Sequence, residues 1–219
     1  MATTEEVLHF WFLDSVRTDA RLDAHMRRWF HRSMSFDRSV RRLHGDDIGK
    51  ALRGQLDHWA DSAHGRLALI ILLDQMTRNA FRGTRDAYAG DPKAIELSLD
   101  GIRLGADLGL LAIERLFFYL PLFHSECTSD QQRSVACFEN LAAQAPASQR
   151  GDFAVWAAHA RQRRMLLQRF TRFPDRNRAM GRRSTPGEWA FLLRGGVRRY
   201  ASAMRQIMRS RRGLRGDMD

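Results

Sequence analysis

The stretch SAHGRLALIILLDQMTRNA, residues 62–80, decides the fold of this chain. Every residue from Leu67 to Leu73 is apolar, a pattern typical of a helix that other elements surround on all sides. Helical spacing and capping signals recur before and after this stretch, whereas the alternating pattern of a half-exposed strand is almost absent. The sequence therefore predicts an all-α protein.

Capping signals and apolar periodicity predict eight further helices around residues 62–80. Short connections between them favour an array of antiparallel helices, arranged as an α-solenoid or as an orthogonal bundle. Residues 1–193 are predicted to form a single all-α domain, and 194–219 a basic amphipathic C-terminal helix or tail. The expected helices cover approximately residues 3–12, 19–33, 46–59, 91–104, 112–124, 129–143, 148–170 and 186–193.

Composition is that of an ordinary globular protein, because 44% of the 219 residues are hydrophobic and 28% are charged. Cys127 and Cys137 are separated by about 15 Å at helical rise, which is too far for a disulfide. The first residues, MATTEEVLHFWFL, lack the basic flank of a signal peptide, and no apolar run is long enough to span a membrane. We therefore expect a soluble, cytoplasmic protein with reduced thiols.

The net charge of +11 belongs to the last third of the chain. Residues 150–219 hold 18 arginines and 5 acidic residues, whereas residues 1–149 hold more acidic than basic residues. A surface with this charge attracts a polyanion, which can be a nucleic acid, an acidic protein or a membrane surface.

Polar residues at the C-terminal end of the apolar helix form one ridge. Asp74 and Arg78 are i,i+4 neighbours. The same spacing relates Gln75 to Asn79, and Arg78 to Arg82. Burial of such groups costs free energy unless they are paired or bind a ligand. The ridge is therefore either a structural network that fixes helix packing or the wall of a substrate cleft.

A second polar group follows the apolar helix at residues 112–124. Pro121 interrupts this helix just before His124, Ser125 and Glu126. A carboxylate near a histidine can orient the ring and raise its pKa, which is the minimum that acid–base catalysis requires. The alternative is a hydrogen-bonded packing element at a helix end. Ser125 lacks the flanking glycines of a hydrolase nucleophile, so a serine hydrolase is disfavoured.

The third group is QRFTRFPDRNRAMGRRST, residues 168–185. Its arginines flank Phe170 and Phe173, and Thr185 opens the next predicted helix. Forked guanidinium donors, aromatic faces and a helix N-terminus suit an anionic ligand, although a basic loop held by local acids is the alternative. The sequence has no metal-ligand spacing, CxxC, HExxH, P-loop or GxGxxG motif, so neither a metal nor a cofactor is predicted.

Together these segments resemble domain-of-unknown-function family 924 over about residues 5–193. The resemblance implies an all-helical fold like that of tetratricopeptide repeats, and it brings no catalytic mechanism. In the family pattern a proline is usual at the position of Thr77, a glycine at that of Thr171, and histidines at those of Arg163 and Asp175. The matching residues are Phe10-Trp11-Phe12, Leu73-Asp74-Gln75 with Arg78-Asn79 and Phe81-Arg82-Gly83, Tyr119-Leu120-Pro121-Leu122 with His124-Ser125-Glu126, and Arg169-Phe170 with Arg172-Phe173-Pro174 and Arg176-Asn177.

Three functions fit these features. The first is an enzyme docked on RNA, for example tRNA, that transfers a group carried by the RNA, such as an aminoacyl ester, by acid–base catalysis without a metal. The second is an enzyme or binder of a small anionic metabolite, and the third is a helical-repeat scaffold for protein interaction. We favour the first because the basic charge of the last third is difficult to explain with a neutral metabolite.

The residues assigned to these roles come from all three polar groups. The predicted catalytic residues are Asp74, His124 and Glu126. The predicted substrate-binding residues are Gln75, Arg78, Asn79, Arg82, Ser125, Arg172, Arg176 and Asn177. The predicted RNA-binding residues are Arg163, Arg164, Arg169, Arg182, Arg183, Arg198, Arg199, Arg205 and Arg209.

Overall fold

The computed structural model describes residues 2–18, 26 and 28–196, and this part of the chain contains helices and connections but no strand. The prediction of an all-α protein is therefore confirmed. Short 3-10 helices in the connections cover Asp57–Asp61, Arg85–Tyr88 and Pro174–Arg176. The α-helices are α1 (Thr4–Thr18), α2 (Met34–Leu52), α3 (Ala63–Ile70), α4 (Thr77–Ala80), α5 (Asp91–Arg103), α6 (Ala112–His124), α7 (Thr128–Gln144), α8 (Arg150–Phe170) and α9 (Pro186–Leu193).

The sequence predicts capping boxes at Thr3–Glu6, Ser129–Gln132 and Thr185–Glu188, and the first and third form. The second is wrong, because Cys127 is the N-cap of α7 and no side chain caps that helix start. Before α1, the Thr3 amide donates to the Glu6 carboxylate (2.7 Å) and the Glu6 amide donates to the Thr3 hydroxyl (3.2 Å). Thr185 and Glu188 make the same reciprocal pair at the start of α9, at 2.7 and 3.3 Å. These helices begin where the sequence predicts because each box satisfies amide donors that a helix start leaves free.

The apolar stretch of residues 62–80 lies at the centre of the fold. Every side chain from Leu67 to Leu73 is fully buried. Helices α1, α2, α5 and α6 pack around α3 and the segment that follows it, while α7 and α8 pack against each other beside α6. Trp11 of α1 meets Phe117 of α6 edge to face, with ring centroids 5.6 Å apart. Burial on all sides explains why this stretch has no polar face.

A π-helical segment, Ile71–Met76, joins α3 to α4. The Thr77 amide donates to the Leu72 carbonyl, five residues earlier, and the Thr77 hydroxyl donates to the same oxygen at 2.7 Å. A π-helix places an extra residue in a helical turn and often occurs at functional sites. Asp74 and Gln75 both lie in this segment, so the polar ridge starts where the regular helix is interrupted.

The predicted helix start at residue 46 is wrong, because α2 begins earlier in the chain. It begins at Met34, because the Ser33 hydroxyl accepts a hydrogen bond from the Phe36 amide (3.2 Å) and caps the helix there. Asp46 and Asp47 lie inside α2. Most of the predicted helix 19–33 falls outside the described residues, as does the predicted tail beyond Gly196.

Three further predictions concern the proline in α6, the two cysteines and the possibility of a membrane-spanning helix. Helix α6 continues through Pro121 to His124 and is not interrupted by the proline. Cys127 and Cys137 are both free, as predicted. No helix in the described ranges combines the length and apolar character that a membrane crossing requires. The tetratricopeptide-like arrangement and the domain bounds stay predictions.

Candidate active site

His124 and Asp74 form a hydrogen-bonded pair at the centre of the molecule. Nδ1 of His124 lies 2.8 and 3.0 Å from the two carboxylate oxygens of Asp74. Asp74 is fully buried in the π-helical segment, and the His124 side chain keeps 17% of its exposure at the C-terminus of α6. Two of the three predicted catalytic residues, 50 positions apart in the chain, are therefore in direct contact.

The C-terminus of α6 is held in place by one side chain of α7. The Gln131 amide nitrogen donates to the carbonyls of Leu122 (3.0 Å), Phe123 (2.9 Å) and Ser125 (2.8 Å). These carbonyls belong to the last turn of α6 and its end, where helical donors become scarce, although the Leu122 carbonyl also accepts from the Ser125 amide at 3.2 Å. Gln131 thus fixes the backbone on which the His124 ring is mounted.

The protonation states of the pair follow from burial and nearby charge. Burial lowers the pKa of His124 to about 4, with help from the positive charges of Arg78 and Arg176 and against the effect of Asp74. Burial alone would raise the pKa of Asp74, but Arg78 and hydrogen bonds from His124 and Gln75 lower it below its ordinary value. At neutral pH the histidine is therefore neutral and the carboxylate ionised. Nδ1 carries the proton that Asp74 accepts, and Nε2 carries a lone pair.

Two arginines beside this pair share one carboxylate. Arg78 donates to both oxygens of Asp91, at 2.6 and 3.0 Å, and Arg176 donates to Asp91 at 3.2 Å. Arg176 also donates to the His124 carbonyl at 2.7 Å, and an Arg78 nitrogen lies 3.4 Å from an Asp74 oxygen. Both guanidiniums lie over the Tyr88 ring, 5.3 and 4.8 Å from its centroid. The predicted residues Arg78 and Arg176 therefore join the His124–Asp74 pair.

Glu126 has a different environment from the one predicted. Its carboxylate accepts two hydrogen bonds from Arg182, at 2.6 and 2.9 Å, and one from the Phe173 amide at 2.7 Å. Burial alone would raise the pKa of Glu126, but these donors outweigh burial and hold the pKa below its ordinary value. The carboxylate that orients His124 is therefore Asp74, and Glu126 connects α6 to the segment around Phe173.

Several predicted substrate-binding residues have internal partners. Asn79 and Arg82 donate to Asp37 of α2, at 2.7 Å for Asn79 and at 2.6 and 2.8 Å for Arg82. Gln75 donates to Asp74. These contacts tie the polar ridge to α2 and to the histidine pair, which is the structural role that the sequence left as an alternative.

The predicted substrate-binding residues that follow α6 and α8 also have hydrogen-bond partners within the protein. The Ser125 hydroxyl donates to Asp130 at 2.6 Å and accepts a hydrogen bond from the Cys127 amide at 3.1 Å. Arg172 holds both oxygens of Glu188, at 2.7 and 2.8 Å, and lowers the pKa of Glu188 to about 2. Asn177 donates to Ser184 at 3.0 Å. None of these three side chains contacts the His124–Asp74 pair among the hydrogen bonds of the described residues.

The predicted RNA-binding arginines divide by exposure. Arg169 and Arg183 are exposed, Arg164 is half-buried, and Arg182 is occupied by Glu126. Arg163 is buried, so it lacks the surface exposure that a contact with RNA requires. The remaining four lie outside the described residues: Arg198, Arg199, Arg205 and Arg209.

Sequence reasoning missed Asp91 as a member of the site. The residue was assigned to the N-terminus of a helix, where an acidic side chain is common. Its partners Arg78 and Arg176 are 13 and 85 positions away, so local spacing did not reveal them. Within the described ranges, no three histidine, cysteine, aspartate or glutamate side chains cluster as ligands for a metal ion would.

The fold and the site define an all-α protein whose polar centre is a carboxylate–histidine pair bordered by arginines. The chain belongs to the family described as "Bacterial protein of unknown function (DUF924)", whose model matches residues 7–196. The family predicted from the sequence motifs is thereby confirmed.

A solved structure supports the same relationship. The chain is similar to a protein of unknown function from Agrobacterium tumefaciens, ATU0120, with 33% sequence identity and a TM-score of 0.73. The match covers 86% of this chain and 96% of the other. A comparison with curated proteins finds no match.

Proposed function

We propose that this protein is an enzyme in which neutral His124 accepts a proton from a bound nucleophile. The observation that carries the proposal is the contact of Nδ1 with buried Asp74, at 2.8 and 3.0 Å, because it leaves Nε2 as the proton acceptor. A buried carboxylate that holds the far nitrogen of a histidine also stabilises the imidazolium that forms during proton transfer. The 17% exposure of the His124 side chain gives a small substrate group access to the ring.

The arginines suit a reaction in which negative charge develops. Arg78 and Arg176 provide fixed cationic donors beside His124, in surroundings where water is largely excluded. Such preorganised donors stabilise an oxyanion more strongly than water does. Together with a general base, they suit acyl transfer from an ester: His124 takes the proton of the attacking amine or hydroxyl while the carbonyl oxygen becomes negative.

The first test is replacement of His124 by glutamine. We expect His124→Gln to lower the turnover of aminoacyl esters by about a hundredfold or more, because the proton acceptor is lost while the side chain still fills the space. The assay measures release or transfer of the amino acid from total aminoacyl-tRNA and, in parallel, from small aminoacyl esters. The midpoint of thermal unfolding should stay within a few degrees of the wild-type value.

His159→Gln is the matched control, because His159 is another half-buried histidine whose pKa burial lowers and which has no carboxylate partner among the described hydrogen bonds. Its turnover should equal that of the wild type. Undiminished turnover by His124→Gln, or no turnover of either substrate class by the wild type, contradicts the proposal.

We further propose that the substrate is carried by RNA. This is supported by the 18 arginines in residues 150–219, against 5 acidic residues, and by the exposed positions of Arg169 and Arg183. The guanidinium of Arg169 lies 4.8 Å from the Phe170 ring centroid, an arrangement that can present both a charge and an aromatic surface. Arg163 and Arg182 add nothing to this proposal, since Arg163 is buried and Arg182 donates to Glu126.

RNA binding predicts a steep salt dependence. The affinity for mixed tRNA should fall with a log–log slope of about −0.7 to −0.9 for each phosphate contact, because each contact releases counterions. Deletion of residues 197–219 removes seven arginines. It should weaken binding and make the slope shallower, without lowering turnover of a small ester. Absence of tRNA binding at low salt would leave the small-ester reaction as the only form of the proposal.

A further inference from the structure

Arg163 is a buried cation that has no hydrogen-bonded partner among the described residues. Three arginines are buried in the described part of the chain: Arg66, Arg163 and Arg176. Arg66 donates to two backbone carbonyls, and Arg176 donates to Asp91 and to the His124 carbonyl. Arg163 makes no hydrogen bond to a described residue, and its Nε is buried without an acceptor there. The acidic group that pairs with it, Asp175, is 3.6 Å away and partly exposed.

The Arg163 guanidinium is nevertheless held in a defined position. Its central carbon lies 3.5 Å from the centroid of the Phe173 ring and 5.5 Å from that of Phe123. Stacking on an aromatic face uses the plane of a guanidinium and leaves its N–H groups, which point outward in that plane, able to donate. Arg163 therefore combines a fixed orientation with unused donors.

The carboxylate beside Arg163 is farther away than those of the neighbouring arginines, because the Asp175 oxygen lies 3.6 Å from the Arg163 guanidinium. Arg172 has both oxygens of Glu188, and Arg182 has both oxygens of Glu126. Burial lowers the pKa of Arg163 to about 10, so the group is still cationic at neutral pH. The Arg163 Nε–H group is buried without an acceptor in the described part of the chain, which is unfavourable unless a ligand supplies one.

The position of Arg163 relates it to His124. The Phe173 ring that supports Arg163 also lies 5.3 Å from the Arg176 guanidinium, and Arg176 donates to the His124 carbonyl at 2.7 Å. Phe123, the other ring beside Arg163, is the residue before His124. The unused donors thus lie on the side of the site formed by α8 and the segment around Phe173.

We propose that Arg163, supported by Arg176, binds the carboxylate of the substrate on which His124 acts. This proposal rests on the proposed function and names its substrate class as a small carboxylic acid derivative. A planar guanidinium fork matches a carboxylate in geometry. The surrounding charges favour a monoanion over a phosphate dianion, because Arg78, Arg163 and Arg176 are already accompanied by three aspartates, Asp74, Asp91 and Asp175.

The experiment measures carboxylate binding without any reaction. Propionate and benzoate are titrated into the wild-type protein at constant ionic strength, with chloride as the balancing anion. The readouts are the NMR signal of the Arg163 Nε–H group and the midpoint of thermal unfolding. We expect saturable binding of the carboxylates, and binding of inorganic phosphate or sulfate that is at least tenfold weaker.

Variants distinguish Arg163 from its neighbours. Arg163→Gln should weaken propionate binding at least tenfold, and Arg163→Lys, which keeps the charge but not the fork, should weaken it severalfold. Arg161→Gln, on the same helix, is the control and should bind as the wild type does, because the Arg161 side chain is half-exposed and pairs with Glu139. If Arg163→Gln does not fold, the comparison of Arg163→Lys with Arg161→Gln decides the result.

The outcomes separate this proposal from the one on which it rests. His124→Gln should still bind propionate, so a loss of turnover with intact binding supports both proposals. Turnover that His124→Gln does not reduce, with Arg163-dependent binding intact, overturns only the proposed reaction. Absence of saturable binding, equal binding by Arg163→Lys and the wild type, or a preference for phosphate overturns the carboxylate subsite.

Discussion

Asp91→Asn is expected to lower the free energy of unfolding by about 3 to 5 kcal/mol, the usual range for removal of one partner from a buried ion pair. Asp91 accepts hydrogen bonds from both Arg78 and Arg176, which keep 17% and 8% of their side-chain exposure. Asparagine has almost the same shape but carries no charge, and its amide group would face guanidinium donors. Two largely buried cations would then lack their shared anion. Urea denaturation followed by circular dichroism measures the change.

The matched control is Asp100→Asn on the same helix. Asp100 pairs with Arg103 at 3.2 Å, but both side chains are about half-exposed or more, at 48% and 68%. An exposed pair of this kind contributes about 0 to 1 kcal/mol. Equal effects of the two substitutions would show that the Asp91 cluster is solvated and does not hold the site together.

Gly90→Ala is expected to destabilise the protein by about 3 kcal/mol or more. A Cβ atom at Gly90 would lie 2.3 Å from the Leu73 carbonyl oxygen and 2.9 Å from its carbon. Both are backbone atoms of the π-helical segment, so no side-chain rotation can relieve the clash. The torsion angles of Gly90, φ −86° and ψ −8°, suit alanine, so the loss comes from the close approach alone.

Gly109→Ala provides the comparison, since a Cβ atom there meets nothing within 4 Å. Its effect on the free energy of unfolding should stay within about 0.5 kcal/mol. Because Gly90 separates α5 from the segment that carries Asp74, the NMR signal of the His124 ring should shift in Gly90→Ala and not in Gly109→Ala. A Gly90→Ala protein as stable as the wild type would contradict the close packing of these two elements.

Local signals in the sequence predict helices well and helix starts less well. The boxes at Thr3–Glu6 and Thr185–Glu188 act within four residues, and both form as predicted. The start of α2 was placed at Asp46, because paired aspartates resemble a cap as much as Ser33 does. The choice between these two helix starts depends on which side chains of the helix are buried. A single sequence does not reveal that burial.

The site was harder to predict than the helices because its contacts are distant in sequence. Asp74 and His124 were both identified, but Glu126 was expected to orient the ring because it is close in the chain. Residues two positions apart do not face each other at the end of a helix, and the backbone turns Glu126 towards Arg182. Proximity in sequence was therefore the wrong guide to the partner of His124.

Three positions that differ from the expected family pattern have clear local consequences. Thr171 ends α8 in the left-handed conformation, with φ 59°, which a glycine adopts at lower cost. Arg163 and Asp175, where the expected pattern has histidines, form an ion pair at 3.6 Å.

The π-helical segment lets the helix hold one more residue without changing the direction in which the following residues point. A π-helical turn contains more residues than an α-helical turn, so it accommodates an extra residue within the wider turn. Arg78 reaches Asp91, and Arg82 reaches Asp37, from faces that the wider turn preserves. Loss of a single residue between Ile71 and Met76 would therefore give a regular helix with both arginines still facing their partners. Loss of a residue from α4 would instead turn Arg82 by about 100°, because a regular helix has no wider turn to compensate.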